Sequence, residues 1–595
     1  MPTNGFVAPF PLPMTTPVLL DTVTLFRTPE QAAYRYRVAG PLVRSLAFLI
    51  DALVVVVLLV VGWLLLALVG TVTGLGGLAV GLAFGLTFLL LWLAGAIVEW
   101  RWRGRTPGKA LLGLRTVTNE GLPPGLAATT LRTLLRYADA LPTVAMAAVT
   151  MVCSRDFRRL GDLAAGTLVV HDGEDPAARR TSLTAAPSER ALAATLPAEV
   201  GLLVDPPALR AIATYLARRR DFHEARRMEL ASHLATPLAR RLGLPMATDP
   251  DRLLAAVHHR LTASVDDQAL ARGAAFLARR EGEWSRLDAL ARGGIPGDRV
   301  RESPALAFAR LYRSACADLS LAEALHLPHR TVDRLHRVVA RAHLGFHPPV
   351  PPGWADIRRL VLEVIPGRLY GDPCLRAALL AFFGTFCLCI ILAALRPGTA
   401  EAVMGPGFVD QLRDMYREHP SGRNAEEAAL MHGFYLMHNV GIALACFAAG
   451  VFAGVGSLIF LAFNGVVLGL AFGAMLTVDD ATRGHFFEFV TAHGPFELTG
   501  IALAGAAGLR LGLGIIDTGG LPRLESLRRA AGRAVPIIAV AACSVALAAP
   551  IEAWVSPSSV PLGLKRAVAV ASIFLLIGYL VVLGARARSG DADGR

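Results

Sequence analysis

Long apolar runs at both ends of the chain dominate its pattern of hydrophobic and polar positions. Near the amino terminus, residues 46–69 and 78–98 are almost wholly apolar, apart from Asp51, and a glycine-rich turn separates them. Each run approaches or exceeds the roughly 20 residues that a helix needs to cross the hydrocarbon core of a bilayer. The pattern therefore predicts a transmembrane helical hairpin.

A third apolar run, residues 131–152, is less regular. Asp139 and Pro142 interrupt it, and a cluster of arginines follows within residues 155–159. Because proline lacks the N–H of a helix interior and basic residues stay on the polar side of a membrane, this pattern favours a broken helix. Such a helix re-enters the membrane or lies along its surface; one full crossing also fits the length of the run.

The carboxy-terminal part of the chain predicts six further crossings. Six crossings return the chain to the side on which the first one began. The apolar runs are residues 377–395, 434–455, 458–476, 495–516, 534–549 and 567–583.

Between the two apolar regions, residues 172–368 are polar and repeat apolar positions every three or four residues, as in Leu311, Ala315 and Leu319. This spacing is typical of amphipathic helices. The whole sequence thus predicts an all-α fold: a multi-pass helical membrane protein with a cytosolic all-helical domain between two membrane modules. The predicted boundaries are a tail at 1–27, a first membrane module at 28–171, the helical domain at 172–368 and a six-span bundle at 369–595.

Composition and charge orient this arrangement. Hydrophobic residues make up 54% of the 595 residues and charged residues 18%, a balance that excludes a single soluble domain. Basic residues flank the open ends of the hairpin and fill the loop 523–533, whereas acidic residues occur in the loops 409–427 and 479–488. Basic loops stay in the cytoplasm, so the middle domain and the carboxy terminus are predicted there, in an inner-membrane protein. The net charge of +12 fits this bias, and we predict no nucleic-acid partner.

Small residues recur at every fourth position in several apolar runs, which allows close contact between helices in lipid. Packing alone explains such stripes, and a transport path between helices is the alternative. Examples are Gly77/Gly81/Gly85, Gly450/Gly454, Gly465/Gly469/Gly473 and Ala504/Gly508/Gly512.

The first set of polar motifs begins before the hairpin and ends after the third apolar run. It comprises Arg44, Asp51, Gly104, Arg105, Thr106, Pro107, Gly108, Lys109, Asp139, Arg159, Gly161 and Asp162. This succession, over residues 28–171, resembles the RDD family of bacterial membrane proteins, which is named for an arginine and two aspartates.

Asp51 is the residue of this set with the clearest chemistry. It lies inside an apolar helix, seven positions or about 10 Å from Arg44, too far for a direct pair. An intramembrane carboxylate needs a partner or water, and Asp139 with Arg44 or Arg136 are the candidates. Two interpretations remain: a relay for protons or cations, and a fixed ion pair that pins the broken helix to the hairpin.

A second set of motifs marks the ends of the carboxy-terminal runs: Asn439, Asn464, His493 with Glu497, and Glu552. With the helices before them, these motifs resemble the stage II sporulation protein M family, also called DUF95, over residues 284–557. The resemblance implies an integral membrane component of bacterial envelope processes. Most members of that family have no established biochemical activity.

His493 and Glu497 are four positions apart and share a helix face, where Asn439, Asn464 and Glu552 can join them. Hydrogen bonding between helices, an ion- or substrate-conducting cluster and metal binding are the interpretations. Without a His-Glu-x-x-His signature we predict no metal site here. The chain also lacks a phosphate-binding glycine loop ending in Lys-Ser/Thr and a nucleophile in a signature context, so we predict no cofactor and no enzyme.

The predicted function is that of a non-enzymatic scaffold that recruits cytosolic or membrane partners to an envelope assembly or remodelling complex. The family resemblance implies an AAA-type ATPase and von Willebrand-type proteins as partners, beside the lipid bilayer. The alternative is a transporter of protons, cations or a small solute that uses the intramembrane polar residues. A metal-dependent hydrolase facing outward is a more distant third.

Overall fold

A computed structural model shows a mainly helical chain, which confirms the all-α prediction. The residues that it describes also include four short strands, which the sequence analysis did not foresee. The structure describes residues 23–593 except 28–32, 141–144, 155, 173–185, 198–199, 201–203, 220–221, 246–247, 292–303, 325–328, 347–352 and 419–421.

Eight helices of the described chain are long and apolar enough to cross a membrane, and they contain most of the eight predicted runs, in the predicted order. Helices α1 and α2 form the amino-terminal hairpin, with a left-handed Gly74 (φ +75°) at the turn between them. Their bounds are α1 (Pro41–Thr73) and α2 (Gly76–Arg101).

The other six candidate spans form the carboxy-terminal bundle. In our numbering they are α15 (Pro373–Leu395), α18 (Ala425–Ala449), α19 (Val455–Met475), α21 (Gly494–Ile516), α22 (Arg523–Val555) and α23 (Leu562–Ser589). The second of them begins nine residues before its apolar run because the side chain of Asn424 accepts a hydrogen bond from Glu427 N (2.8 Å) and caps the helix. It ends at Ala449, before the turn of residues 450–454, rather than at Val455.

The third apolar run of the amino-terminal module is broken, as the sequence predicted. Its described residues belong to three short helices, α4 (Leu126–Leu134), α5 (Arg136–Ala140) and α6 (Ala145–Cys153). None of them has the length of a spanning helix. Pro142, the predicted cause of the break, lies outside the described residues.

The four strands form two antiparallel pairs next to the hairpin. Strand β1 (Val23–Arg27) pairs with β2 (Ala33–Arg37), and β3 (Leu114–Thr118) pairs with β4 (Thr167–His171). A single bridge between Val38 and Val170 joins the two pairs. The short helices α3 (Pro107–Leu111) and α7 (Leu160–Ala165) precede β3 and β4 directly.

The described parts of the middle region are mainly helical, and their helices contribute to two hydrophobic cores. Those helices are α8 (Pro187–Thr195), α9 (Pro206–Arg218), α10 (Glu224–Arg241), α11 (Pro250–Ala291), α12 (Pro304–Ala324) and α13 (His329–Phe346). All members of the first core lie within residues 192–261. The second core combines α12, α13 and the end of α11 with aromatic residues of the strands, including Phe26, Tyr34 and Tyr36.

The two membrane modules also share a hydrophobic core. One core cluster unites Trp92 of α2 and Leu131 of α4 with residues of α15, α18, α21 and α22. Helix α21 is the most buried candidate span, so it lies at the centre of the bundle. The remaining elements are shorter helices. They are α14, a helical stretch over Trp354–Arg359, Leu360–Val364 and Ile365–Leu369, then α16 (Thr399–Met404), α17 (Phe408–Tyr416) and α20 (Asp480–Thr491).

Most glycines of the predicted stripes lie where two helices touch. A Cβ atom on Gly465, Gly469 or Gly473 would collide with α15, and one on Gly508 or Gly512 would collide with the turn or helices around Gly450. Gly77 and Gly81 lie equally close to the backbone of α18. Gly85 is different, because a Cβ atom there would meet no neighbour within 4 Å.

Candidate functional site

The polar residues of the first membrane module form one connected set of buried ion pairs, which we call the ion network. Asp162, at the start of α7, forms ion pairs with both Arg44 and Arg132, and Arg132 also contacts Glu99 at 3.4 Å. Glu99 in turn pairs with Lys109. The five charges thus alternate in sign from Arg44 to Lys109.

Arg132 is the centre of the ion network and is almost fully buried, at 1% exposure. Its guanidinium also donates to the hydroxyl of Thr167 (2.7 Å), and the hydroxyl of Thr116 donates to Glu99 (2.6 Å). These two threonines belong to β4 and β3, so the strands supply part of the polar lining. A buried ion pair needs such additional hydrogen bonds to offset its desolvation.

Asp51 has a different partner from those expected. Its carboxylate accepts hydrogen bonds from the hydroxyl of Thr106 (2.6 Å) and from the backbone N–H of Gly108 (2.7 Å), rather than pairing with Asp139, Arg44 or Arg136. Pro107 opens the short helix α3 between these two donors. The glycine is required there because a Cβ atom on Gly108 would collide with the Ala47 carbonyl group of α1.

Asp139 and Arg159 extend the ion network at its edge. The Arg159 Nε atom lies 3.8 Å from an Asp139 carboxylate oxygen and 3.9 Å from Asp162. Burial raises the pKa of the Asp139 carboxyl above its usual value, although Arg159 opposes this effect. Burial also lowers the pKa of Arg159 to about 9.

The remaining motif residues of this module make contacts next to the ion network. Arg105 forms an ion pair with Asp172, beside Arg115 (2.7 Å). Gly104 has a φ of +90°, and Gly161 lies against the backbone of Arg132, where a Cβ atom would be 3.2 Å from the carbonyl oxygen. Burial lowers the pKa of Lys109 to about 8, while Glu99 opposes that shift.

A second polar site lies in the six-span bundle, which we call the His–Glu cluster: Asn439, His493, Glu497, Glu552 and Ser556. His493 Nδ1 lies 2.8 Å from the Ser556 hydroxyl, and His493 Nε2 lies 3.7 Å from a Glu497 carboxylate oxygen. The Asn439 side-chain amide donates to Glu552 at 3.1 Å. One ligand atom from each of His493, Glu497 and Glu552 lies within 4.8 Å of the other two.

Local sequence explains how these side chains meet. His493 precedes α21, whose first turn contains Pro495 and Glu497. Glu552 lies just after Pro550, where the end of α22 widens into a π-helical turn over Ile551–Val555. Proline removes one backbone donor, and π-turns of this kind are often found at functional sites.

One predicted member does not join the His–Glu cluster. The side-chain amide of Asn464 donates to the Phe460 carbonyl of its own helix at 2.8 Å. A buried lysine that sequence reasoning missed lies beside the cluster instead: Lys565 donates to Glu488 (2.8 Å) and to the Ser556 carbonyl (2.9 Å).

Sequence reasoning also missed Glu99 and Arg132, although both carry a signal. Glu99 directly follows the apolar run 78–98, and Arg132 lies within the third apolar run, between Leu131 and Leu134. Charges in such surroundings are functional or structural centres by default. Because their charges have opposite signs, the sequence could have suggested that they form an ion pair.

Comparison with known families finds matches to three segments of the chain. Residues 38–166 match the RDD family, and residues 377–557 match the family described as stage II sporulation protein M. A separate domain of unknown function, DUF8413, matches residues 274–347, so the second resemblance does not extend back to residue 284 as predicted. No curated protein and no solved structure matches the chain.

The suspected fusion is confirmed, because both family matches occur in one chain and each contains helices of spanning length. This chain is a multi-pass membrane protein that joins an RDD family segment to a segment of the stage II sporulation protein M family.

Proposed function

We propose that this protein is a non-enzymatic scaffold of the bacterial inner membrane, which recruits cytosolic partners to a complex that assembles or remodels the cell envelope. The carrying observation is the independent core of α8–α11, whose members all lie within residues 192–261. A helical unit with its own core between two membrane segments is suited to bind other proteins.

The chemistry of the ion network supports a structural role for the first membrane module. Asp162 and Glu99 each pair with two cations, and Asp51 caps a short helix. A relay needs a carboxylate that is free to exchange its proton, whereas ion pairs or hydrogen bonds hold each of these three carboxylates in place. We therefore infer that the ion network pins α4 and α7 to the hairpin.

The surface of the helical unit offers side chains for a partner. On α10, Arg226 and Glu229 are exposed and pair at 2.7 Å, and Met228 between them is 37% exposed. Methionine is enriched at surfaces that bind other proteins. The basic loops near the membrane favour a cytoplasmic location for this unit.

Site-specific photo-crosslinking in native membranes tests the scaffold. We would place a photoreactive amino acid at Met228, and at Leu380 as the matched control, because Leu380 is 75% exposed on α15 and faces the lipid. The scaffold predicts discrete protein adducts at Met228, identified by mass spectrometry, and lipid adducts at Leu380. A Met228 variant that forms no protein adduct while it is correctly inserted would contradict the proposal.

The transporter remains the second candidate, and one observation favours it. Two carboxylates and an imidazole of the His–Glu cluster meet between spanning helices, where charge is costly unless it is used. Proton- and sodium-flux assays in liposomes decide the matter with the variants Asp51→Asn and Glu497→Gln. A flux that disappears in either variant at normal levels of folded protein would replace the scaffold with a transporter.

A further inference from the structure

The His–Glu cluster contains three side chains of the types that bind transition metals. His493 and Glu552 are buried, and Glu497 is half-buried. His493 and Glu497 lie at the start of α21, and Glu552 lies near the end of α22. Glu497 and Glu552 are 55 positions apart along the chain. Among the described residues, this is the group in which three ligand atoms converge within 4.8 Å.

The distances in the cluster suit a shared cation better than a hydrogen-bonded pair. The 3.7 Å between His493 Nε2 and the Glu497 oxygen is too long for a hydrogen bond. Ligands at about 2.0–2.1 Å from a tetrahedral zinc ion are roughly 3.4 Å apart. A small movement of two side chains therefore brings this nitrogen and this oxygen to the separation that a bound ion requires.

The neighbours of the cluster orient its ligands. The hydroxyl of Ser556 lies 2.8 Å from His493 Nδ1, so Nδ1 can donate its proton to Ser556 and leave the Nε2 lone pair, on the side of Glu497, for a metal ion. The amide of Asn439 holds one oxygen of Glu552 and leaves the other oxygen for a ligand bond. Metal sites commonly have such outer partners for their histidine and carboxylate ligands.

The balance of charge also favours a cation. The buried Lys565 is already paired with Glu488, and the Arg423 guanidinium, which lies over the rings of Tyr435 (5.8 Å) and Phe489 (5.9 Å), acts on Glu552 without a direct ion pair. Two carboxylates side by side repel each other in a medium of low dielectric constant. A divalent cation would neutralise both of them.

We propose that His493, Glu497 and Glu552 bind one divalent transition-metal cation, for which Zn²⁺ is the best match. Imidazole nitrogen and carboxylate oxygen are regular zinc ligands, whereas calcium and magnesium prefer oxygen ligands alone. Three protein ligands leave at least one coordination position for water or a ligand of a partner. This site is independent of the scaffold proposal and does not require it.

Zinc binding by the full-length protein tests the site. The protein is purified in detergent through a tag without histidine, stripped with EDTA, incubated with ZnCl₂, desalted and analysed for metal by mass spectrometry. We expect about one zinc ion per chain and a higher melting temperature with zinc than with EDTA. A wild-type protein with neither bound zinc nor a zinc-dependent melting temperature would overturn the proposal, whatever the variants do.

Variants assign the ligands. Glu497→Gln, Glu552→Gln and His493→Ala should each weaken zinc binding by more than about 100-fold, whereas His493→Cys should retain it, because a thiolate also binds zinc. Asn439→Ala, which removes only an outer partner, should weaken it by about 10- to 100-fold. Glu427→Gln is the matched control, since Glu427 is an exposed glutamate of α18.

A structural role alone gives a different result. If the three residues only joined helices, their variants would lower the melting temperature equally with zinc and with EDTA. Zinc binding that stays at the wild-type level in both glutamine variants would assign the metal elsewhere and overturn this site.

Discussion

Asp162 and Asp139 are both buried in the first membrane module, at 0% and 4% exposure, but their partners differ. Asp162 pairs with two arginines and accepts the backbone N–H of Arg159 at 3.1 Å, whereas Asp139 has Arg159 at 3.8 Å. Burial alone penalises the charge of an aspartate, and pairing offsets that penalty. The two residues therefore provide a matched pair for measuring what the ion network contributes.

Asp162→Asn should destabilise the protein by about 3–5 kcal/mol, because it leaves the buried Arg132 without its closest carboxylate. Asp139→Asn should change stability by much less, since burial already raises the pKa of this carboxyl. Thermal unfolding of both purified variants in the same detergent measures the difference. Equal losses in the two variants would contradict a network centred on Asp162.

The pH dependence of Asp139 has a defined sign. Its folded pKa is raised above the usual 3.8, so the folded protein binds more protons than the unfolded chain at pH values between the unfolded and folded pKa. The wild type should lose stability relative to Asp139→Asn as pH rises from about 4 through the folded pKa. Melting temperatures of the two proteins across that range check the sign, and an opposite trend would mean that Arg159 dominates over burial.

At the scale of elements, contact between α2 and α18 joins the two membrane modules. Gly81 lies so close to Ala429 that a Cβ atom would collide with its carbonyl group, and Gly433 of α18 approaches Gly81 in return. Close backbone approach through small residues is a main source of helix association in lipid. The stripe of glycines thus has a packing function at this crossing.

Gly81→Ala should destabilise the protein by about 1–3 kcal/mol, because an added methyl group forces the two helices apart. Gly85→Ala is the control: it lies on the same helix, meets nothing within 4 Å, and should stabilise by about 0.5–1 kcal/mol, the usual gain of alanine over glycine in a helix. Thermal unfolding of each variant measures both effects. A loss in Gly85→Ala equal to that in Gly81→Ala would show that helix contact is not the cause.

The elements differ in how well the sequence predicts them. All eight candidate spans were predicted because hydropathy alone determines a long apolar helix in a membrane. The strands were not, since β3 and β4 have five residues each and pair across 57 positions between Leu114 and His171. Such pairing depends on tertiary contacts rather than on local preference.

The same limit applies to the candidate sites. Periodicity puts His493 and Glu497 on one helix face, but the approach of Glu552 depends on how α21 packs against α22. Likewise Asp51 was recognised as a residue in need of a partner, yet its partners, Thr106 and Gly108, lie at the start of α3, which contacts α1. Residue types were predictable, whereas their long-range partners required the structure.

For the whole molecule, the charge bias of the loops predicts one orientation. In a cysteine-free background, a cysteine at Gln411 of α17 should react with an impermeant maleimide in spheroplasts. Cysteines at Met228 and at Arg529, on the basic side, should react only after the membrane is permeabilised. Labelling with the opposite pattern would invert the proposed topology and place the helical unit outside.

The contact between the strands and helices α12 and α13 links the middle region to the first membrane module. Tyr34 of β2 is fully buried there, 5.6 Å from the ring of Phe26 and 5.7 Å from that of His343. Its hydroxyl makes no hydrogen bond among the described residues. The aromatic ring, rather than the hydroxyl, is therefore the part that holds this contact.

Tyr34→Ala should cost about 3–5 kcal/mol, because it leaves a cavity in a core shared by both regions. Tyr34→Phe keeps the ring and should leave stability unchanged or slightly higher, since it removes a buried hydroxyl without a partner. Hydrogen exchange of the full-length protein should then rise in α12 and α13 for the alanine variant and not for phenylalanine. If exchange in these helices stayed at the wild-type level in Tyr34→Ala, the strands would not be what holds them to the membrane module.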